Sequence, residues 1–143
     1  MSSIFMTLAS GDVAAIGNRA SFSIELASPL TLDDNSDWEI GMVQASFPHP
    51  GGNYSVYIHC NICGNSRIGS FLAPILFRCP PEAVAASVRV KQDSIQVWIP
   101  ITTKFISSIN VDLTYGQNIP IDPSPTPASD FSTIDVIIRR VLQ

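Results

Sequence analysis

Apolar and polar residues alternate along several short stretches of this chain, which is the pattern expected of half-buried β-strands. Between positions 21 and 26, Phe22, Ile24 and Leu26 share one face and the residues between them are Ser or Glu. Comparable stretches, which also predict strands, are residues 4–9, 38–47, 54–60, 72–78, 88–90, 95–99, 105–113 and 134–142. The pattern therefore predicts eight or nine strands.

Two of these stretches carry more specific predictions. Residues 72–78 are apolar on both faces, which favours a central strand. Residues 88–90 and 95–99 flank Gln92 and Asp93, and this spacing predicts a hairpin.

The phase of the alternation changes within residues 38–47. Apolar side chains occupy one face from Trp38 to Met42 and the opposite face from Val43 to Phe47. Either a β-bulge shifts the register, or this strand is buried on both faces, in the sheet centre or under a neighbouring subunit.

Short strands with Pro- and Gly-rich turns, and no alternation of strands with helices, indicate an all-β fold. Only residues 81–86 are a helical candidate. We therefore predict one antiparallel β-sandwich domain over residues 1–143, most simply a jelly roll of about eight strands. The Pro-rich loop at 122–130 is either an arm that reaches a neighbour or a solvent-exposed connection.

A series of different short motifs follows one another along most of the chain. They are Trp-Glu-Ile-Gly-Met-Val at 38–43, Phe-Pro-His at 47–49, Tyr-Ile-His-Cys-Asn-Ile at 57–62, Gly69, Ala-Pro-Ile-Leu at 73–76, Ile-Pro-Ile at 99–101, Phe105 with Ile109 and Val111, Gly116, Ile-Pro at 119–120, and Val-Ile-Ile-Arg-Arg at 136–140. This order resembles a family of β-rich virion structural proteins from invertebrate viruses and Polinton (Maverick)-like elements. In that family a Trp-Glu-Val-Gly-Leu strand ends in Tyr-Pro-His. The stretch at 122–127 departs from the family, which has a tighter turn there. The resemblance implies a capsid component, such as a vertex (penton-like) or minor capsid protein.

Composition is consistent with a protein that buries surface against partners. Charged residues make up 14% of the 143, well below the roughly 25% of an average soluble domain. Mean hydropathy is +0.24, yet no apolar run approaches the ~20 residues of a membrane helix, so we expect no membrane span. Copies of the chain or other partners could cover the apolar surface, and a well-filled sandwich is the alternative.

Charge argues against nucleic-acid binding. The net charge is −4, and of eight basic residues only Arg139 and Arg140 are adjacent. Phosphate neutralisation supplies most nucleic-acid affinity, and this chain has no basic stripe to provide it. If the chain is a virion protein, we therefore expect it in the outer shell rather than on the genome. The first residues lack the basic, then apolar, pattern of a signal peptide, so we expect synthesis in the cytosol or nucleus of a host and incorporation in the virion.

Cysteines offer the sharpest chemical lead. Cys60 and Cys63 form half of a zinc motif, and Cys79 is the only further cysteine. His59 lies beside Cys60 on a strand and points to the opposite face, so both could not ligate one ion. We expect free thiols that pack as small apolar side chains, with no metal and no cofactor.

No catalytic constellation is evident. A Cys nucleophile would need His49 or His59 as its base, and His49 falls in a loop. A small esterase or redox protein is therefore a remote third hypothesis. The acidic turn at 33–37 could bind calcium but does not have the spacing of an EF-hand, and a solvated turn is the simpler interpretation.

We therefore expect a non-enzymatic virion protein that assembles with itself, as a pentamer by preference and a trimer next, and with other capsid proteins. The interface candidates are Trp98, Tyr54, Tyr57 and Phe47, although Trp98 could equally lie on a second core face. The rival hypothesis is a glycan- or receptor-binding β-sandwich that uses exposed aromatics with loop Asp and Asn residues.

Overall fold

The chain folds as an all-β protein in a computed structural model that describes residues 3–12, 14–18, 20–48, 55–68, 71–79, 87–115, 119–120 and 131–141. These residues form thirteen strands and no helix. In chain order the strands are β1 (Ser3–Ala9), β2 (Ala15–Gly17), β3 (Ser21–Thr31), β4 (Trp38–Pro48), β5 (Val56–Cys60), β6 (Ser66–Ile68), β7 (Phe71–Ala73), β8 (Ile75–Cys79), β9 (Ser87–Lys91), β10 (Ile99–Pro100), β11 (Phe105–Tyr115), β12 (Ile119–Pro120) and β13 (Thr133–Arg140). The predicted helical candidate at 81–86 and the Pro-rich loop at 122–130 lie outside the described residues.

Two antiparallel sheets make up the sandwich. The first has the order β1-β13-β4, with β9 and β10 both paired to β4. The second has the order β2-β3-β11-β5-β8, and β12 pairs with the end of β11. Strands β6 and β7 form a separate hairpin. The predicted antiparallel β-sandwich is therefore confirmed.

The principal strand pairs are nested along the sequence. Strand β1 pairs with β13, β3 with β11, β4 with β9 and β10, and β5 with β8, so each pair lies inside the previous one. Two further pairings, β13 with β4 and β11 with β5, join these ribbons into the two sheets. The described strands thus pair as nested antiparallel ribbons.

One cluster of buried apolar side chains joins the inner faces of both sheets. Each long strand contributes alternate residues, because side chains two apart lie on the same face. The first sheet contributes Ile40, Met42, Phe47, Ile134, Val136 and Ile138, and the second contributes Phe22, Ile24, Ile58, Ile109, Val111 and Leu113. Because the inner faces are filled by this cluster, a functional site would have to lie on the outer faces of the sheets.

A β-bulge accounts for the change of phase in β4. Opposite β13, Asp135 pairs with Gln44 and Val136 pairs with Met42, so Val43 is the extra residue. A bulge of one residue turns everything after it to the other face, and Ala45 and Phe47 consequently point into the core with Met42. Of the two explanations offered for residues 38–47, the bulge is confirmed.

The hairpin predicted for residues 88–90 and 95–99 is wrong. Strands β9 and β10 do not pair with each other; β9 pairs with residues 44–48 of β4 and β10 with residues 39 and 40. The seven residues 92–98 therefore span a gap that only residues 41–43 occupy on β4. They fold over the outer face there, and Ile95 and Trp98 lie against Gly41, which has no side chain to obstruct them.

Residues 72–78 do not form a central strand, and that prediction is also wrong. Pro74 separates β7 from β8, and among the described strands β8 pairs only with β5. The stretch is apolar on both faces because Ala73 and Ile75 form a small second cluster with Tyr57. This cluster lies on the outer face of the second sheet.

Candidate functional site

The three cysteines do not come together. Cys60 and Cys63 share one turn after β5, in which the Cys63 N–H donates to the Cys60 carbonyl at 3.0 Å. Cys79 on β8 is opposite Val56 on β5. Val56 is four residues from Cys60, which is about 13 Å at the usual rise of a strand, so Cys79 lies far from Cys60. All three are buried thiols outside any disulfide. Among the described residues, no group of three or more His, Cys, Asp or Glu side chains could hold a metal ion.

A hydrogen bond between the two neighbouring thiols affects the pKa of each. A hydrogen bond with Cys63 lowers the pKa of Cys60, although burial acts in the opposite direction. The same hydrogen bond and burial raise the pKa of Cys63. Both side chains are almost completely shielded from solvent, so neither is placed to attack a dissolved substrate.

His59 lies on the other face of β5 from Cys60, as the alternation predicts. Its Nε2 atom is 2.8 Å from the Thr114 hydroxyl oxygen, and both side chains are buried. Burial lowers the pKa of His59, and the carboxylate of Asp112, directly opposite on β11, partly offsets this effect. The imidazole is therefore neutral at pH 7.

Polar cross-strand pairs continue from His59 across the outer face of the second sheet. The Ser21 hydroxyl on β3 donates a hydrogen bond to the Asp112 carboxylate on β11. Two residues further along each strand, the Ser23 hydroxyl donates to the Asn110 side-chain oxygen at 2.6 Å. These pairs fix the side chains on rigid strands rather than on loops.

A cleft of about 500 Å³ opens over this polar array. Its other side is formed by the apolar residues at the end of β7 and before β8. The lining residues are Asn18, Ala20, Ser21, His59, Leu72, Ala73, Pro74, Asp112, Leu113 and Thr114. The cleft thus combines hydroxyl, amide, imidazole and carboxylate groups on one side with an apolar wall on the other.

The Cys-x-x-Cys motif draws attention to the neighbouring His59, but no local motif marks Ser21, Asp112 or Thr114. Each of these lies on the polar face of an ordinary alternating strand and carries no motif. Only the register of β3, β11 and β5 brings them together, and register across two pairings is not encoded in any local pattern.

Four cross-strand rows lie on the outer face of the first sheet, and three neighbouring ones contain Asp135, Ile137 and Arg139. In the central row Phe5 is opposite Ile137, Ile137 is opposite Gly41, and Ile95 and Trp98 cover Gly41. This apolar row crosses the sheet from edge to edge. Phe5 is 62% exposed.

Polar rows flank the apolar row on both sides. On one side Asp135 accepts hydrogen bonds from Thr7, at 2.7 Å, and from Gln44. On the other, Arg139 pairs with Glu39 at 2.6 Å. The guanidinium of Arg139 also lies 3.5 Å from the centre of a Trp98 ring, so it joins the polar and apolar rows.

The four interface candidates fall in different environments. Trp98 is half-buried in the apolar row, and Tyr57 is half-buried on the second sheet's outer face. Phe47 is a core residue with 1% exposure, so its assignment to an interface is wrong; the bulge at Val43 turns it inward. Tyr54 lies outside the described residues, as does His49.

The acidic turn at 33–37 is internally bonded. One Asp33 carboxylate oxygen accepts the Asn35 N–H at 3.0 Å, and the other lies 3.4 Å from Arg140. This arrangement is that of a closed turn. The described part of the chain has no helix long and apolar enough to cross a bilayer.

Comparison of the sequence with models of known protein families and with curated protein sequences gives no match.

Proposed function

We propose that this chain is a virion structural protein, a capsid component that acts by assembling with itself and with other capsid proteins. Its fold would be a jelly roll. A jelly roll is a ribbon of eight antiparallel strands wrapped into two sheets, and small capsid domains commonly have it. The nested pairing supports this assignment, since β1, β3, β4, β5, β8, β11 and β13 supply seven strands and β9 with β10 supply the interrupted eighth.

The observation that carries the proposal is the apolar row on the outer face of the first sheet. Phe5, Ile137, Ile95 and Trp98 lie side by side on this face. A sheet face that is only exposed to water would be expected to carry polar residues there instead. Protein interfaces place an apolar centre inside a polar rim, and the Asp135 and Arg139 rows provide such a rim. A second copy that packs on this face would bury the row.

Low charge fits the same role. Only 14% of the residues are charged. When many copies pack side by side, few ionised groups therefore lose their hydration and few like charges come close together. The order of motifs that resembles virion proteins points in the same direction. The proposed role is non-catalytic, and its proposed location is the virion.

The test is the mass of the purified protein measured by light scattering over a concentration series, with two matched variants. Phe5 and Phe105 have the same side chain and nearly the same exposure, 62% and 61%, but lie on different sheets. We expect Phe5→Glu to dissociate the assembly and Phe105→Glu to leave it intact, because only the first puts a charge in the apolar row.

The subunit count then decides between geometries. A pentamer supports a vertex (penton-like) role, and a trimer supports a spike base. A wild-type monomer at every concentration would contradict self-assembly, and equal dissociation by both variants would contradict the assignment of the interface to the first sheet.

A further inference from the structure

We propose that the cleft on the outer face of the second sheet binds an uncharged sugar. This inference is independent of the assembly role, because the cleft and the apolar row lie on opposite sides of the sandwich. The cleft, of about 500 Å³, falls within the usual size range of ligand sites, roughly 300–1,000 Å³.

The polar side of the cleft offers paired donors and acceptors. Asp112 provides carboxylate oxygens that only accept hydrogen bonds. The Asn18 side-chain oxygen accepts the N–H groups of Ala20 and Ser21, at 2.8 and 2.9 Å, and this fixes which way its NH₂ group points. A sugar hydroxyl both donates and accepts, so neighbouring hydroxyls on one ring can satisfy an acceptor and a donor together.

Charge in the cleft disfavours anionic ligands. Of the described residues that line it, Asp112 is the only one that carries a charge at pH 7, because His59 is neutral. A phosphate or a carboxylate would therefore meet repulsion from Asp112, and the described lining residues include no compensating cation.

The opposite wall suits the C–H face of a sugar ring. Leu72, Ala73 and Pro74 present only apolar side chains, and Leu72 is 60% exposed. An exposed leucine beside a polar array provides apolar area to a ligand that has both kinds of surface. Ser21 and Asp112 are already hydrogen-bonded to each other, so little ordering is needed when the ligand binds.

The experiment is a titration of the ¹⁵N-labelled protein with a panel of neutral methyl glycosides, followed by amide chemical shifts. We expect at least one glycoside to shift the resonances of Ser21, His59, Asp112 and Thr114 in a saturable way. Methylamine and inorganic phosphate serve as charged probes of the same cleft.

Two serines provide a matched control. Ser21→Ala and Ser23→Ala remove equivalent hydroxyls from the same face of β3, but only Ser21 lines the cleft. We expect Ser21→Ala to weaken binding several-fold, Asp112→Asn to weaken it about tenfold or more, and Ser23→Ala to leave it unchanged.

Several results would overturn the proposal. They are the absence of saturable shifts with every glycoside, equal loss of binding in the two serine variants, or saturable binding of methylamine or phosphate in place of the glycosides. None of these depends on the subunit count, so this proposal and the assembly role fail separately.

Discussion

At Gly41 the side chains of Ile95 and Trp98 cover the outer face of the first sheet closely. A Cβ atom added there would lie 2.6 Å from Ile95 Cγ2, 3.1 Å from Ile95 Cδ1 and 3.1 Å from Trp98 Cε3. The change Gly41→Ala therefore forces the Ile95 side chain to move.

The cost follows from which atoms must move. Cγ2 is attached directly to the Cβ of Ile95, so it can withdraw only by a change of χ1 or a shift of the backbone. Trp98 is held in turn by the guanidinium of Arg139. Overpacking of this kind costs about 1–3 kcal/mol of unfolding free energy, which corresponds to a fall in Tm of about 3–10 °C for a chain of this length.

The assay is urea and thermal unfolding of Gly41→Ala, with Gly64→Ala as the control. A Cβ at Gly64 meets nothing nearer than the Pro100 carbonyl oxygen at 3.3 Å, so we expect a smaller loss there. A double variant that combines Gly41→Ala with Ile95→Ala lacks the nearest obstacle to the new Cβ. We expect it to recover part of the unfolding free energy that Gly41→Ala loses. The indole N–H resonance of Trp98 should shift while that of Trp38 stays in place.

Either of two results would refute this account of Gly41. One is an unfolding free energy of Gly41→Ala equal to that of the wild type. The other is a loss of the same size whether residue 95 is Ile or Ala, since that would show that the two positions are not coupled.

Three further predictions concern the strands and their titratable groups. Deletion of Val43 removes the bulge but keeps every core residue of β4 facing inward, so we expect cooperative thermal unfolding to persist. Deletion of Gly41 instead turns Met42 outward, and we expect cooperative unfolding to be lost. Because the pKa of His59 is lowered in the folded state, the unfolded chain binds this proton more tightly; the free energy of unfolding should therefore fall as pH drops below about 6.5, and His59→Gln should remove that part of the slope in urea titrations at several pH values. The buried thiols should react with a thiol reagent only in denaturant, and rapid reaction of Cys60 or Cys63 in native buffer would contradict their burial.

Local patterns predicted much of this fold because alternation reports directly which face of a strand is buried. They identified β3 and β11 and placed the irregularity in β4 where Val43 bulges. Strand β3 nevertheless continues to Thr31, past the end of its alternating residues, since pairing with β11 continues across a second irregularity. Pairing partners extend a strand beyond its own pattern.

Two features could not be predicted from local pattern. The pattern of residues 88–99 is that of a hairpin, but one edge of β4 is long enough to pair with both β9 and β10. The residues between these two strands pack over Gly41, which has no side chain. The cleft depends on His59 and Asp112 being opposite each other on strands about fifty residues apart in sequence. Tertiary register decides both, and neighbouring residues in the sequence do not specify it.

The nested pairing also sets an order of events during synthesis. Ser3 at the beginning of β1 is opposite Arg139 in β13, so β1 finds its partner only after all the residues between these two strands have been synthesised. Until then, β4 too lacks its neighbour β13, and the apolar inner face of the first sheet stays open. Contacts so distant in sequence make folding slow and expose partly folded chains to aggregation. The first sheet can therefore be completed only after β13 has been synthesised, and its finished outer face does not exist before that point.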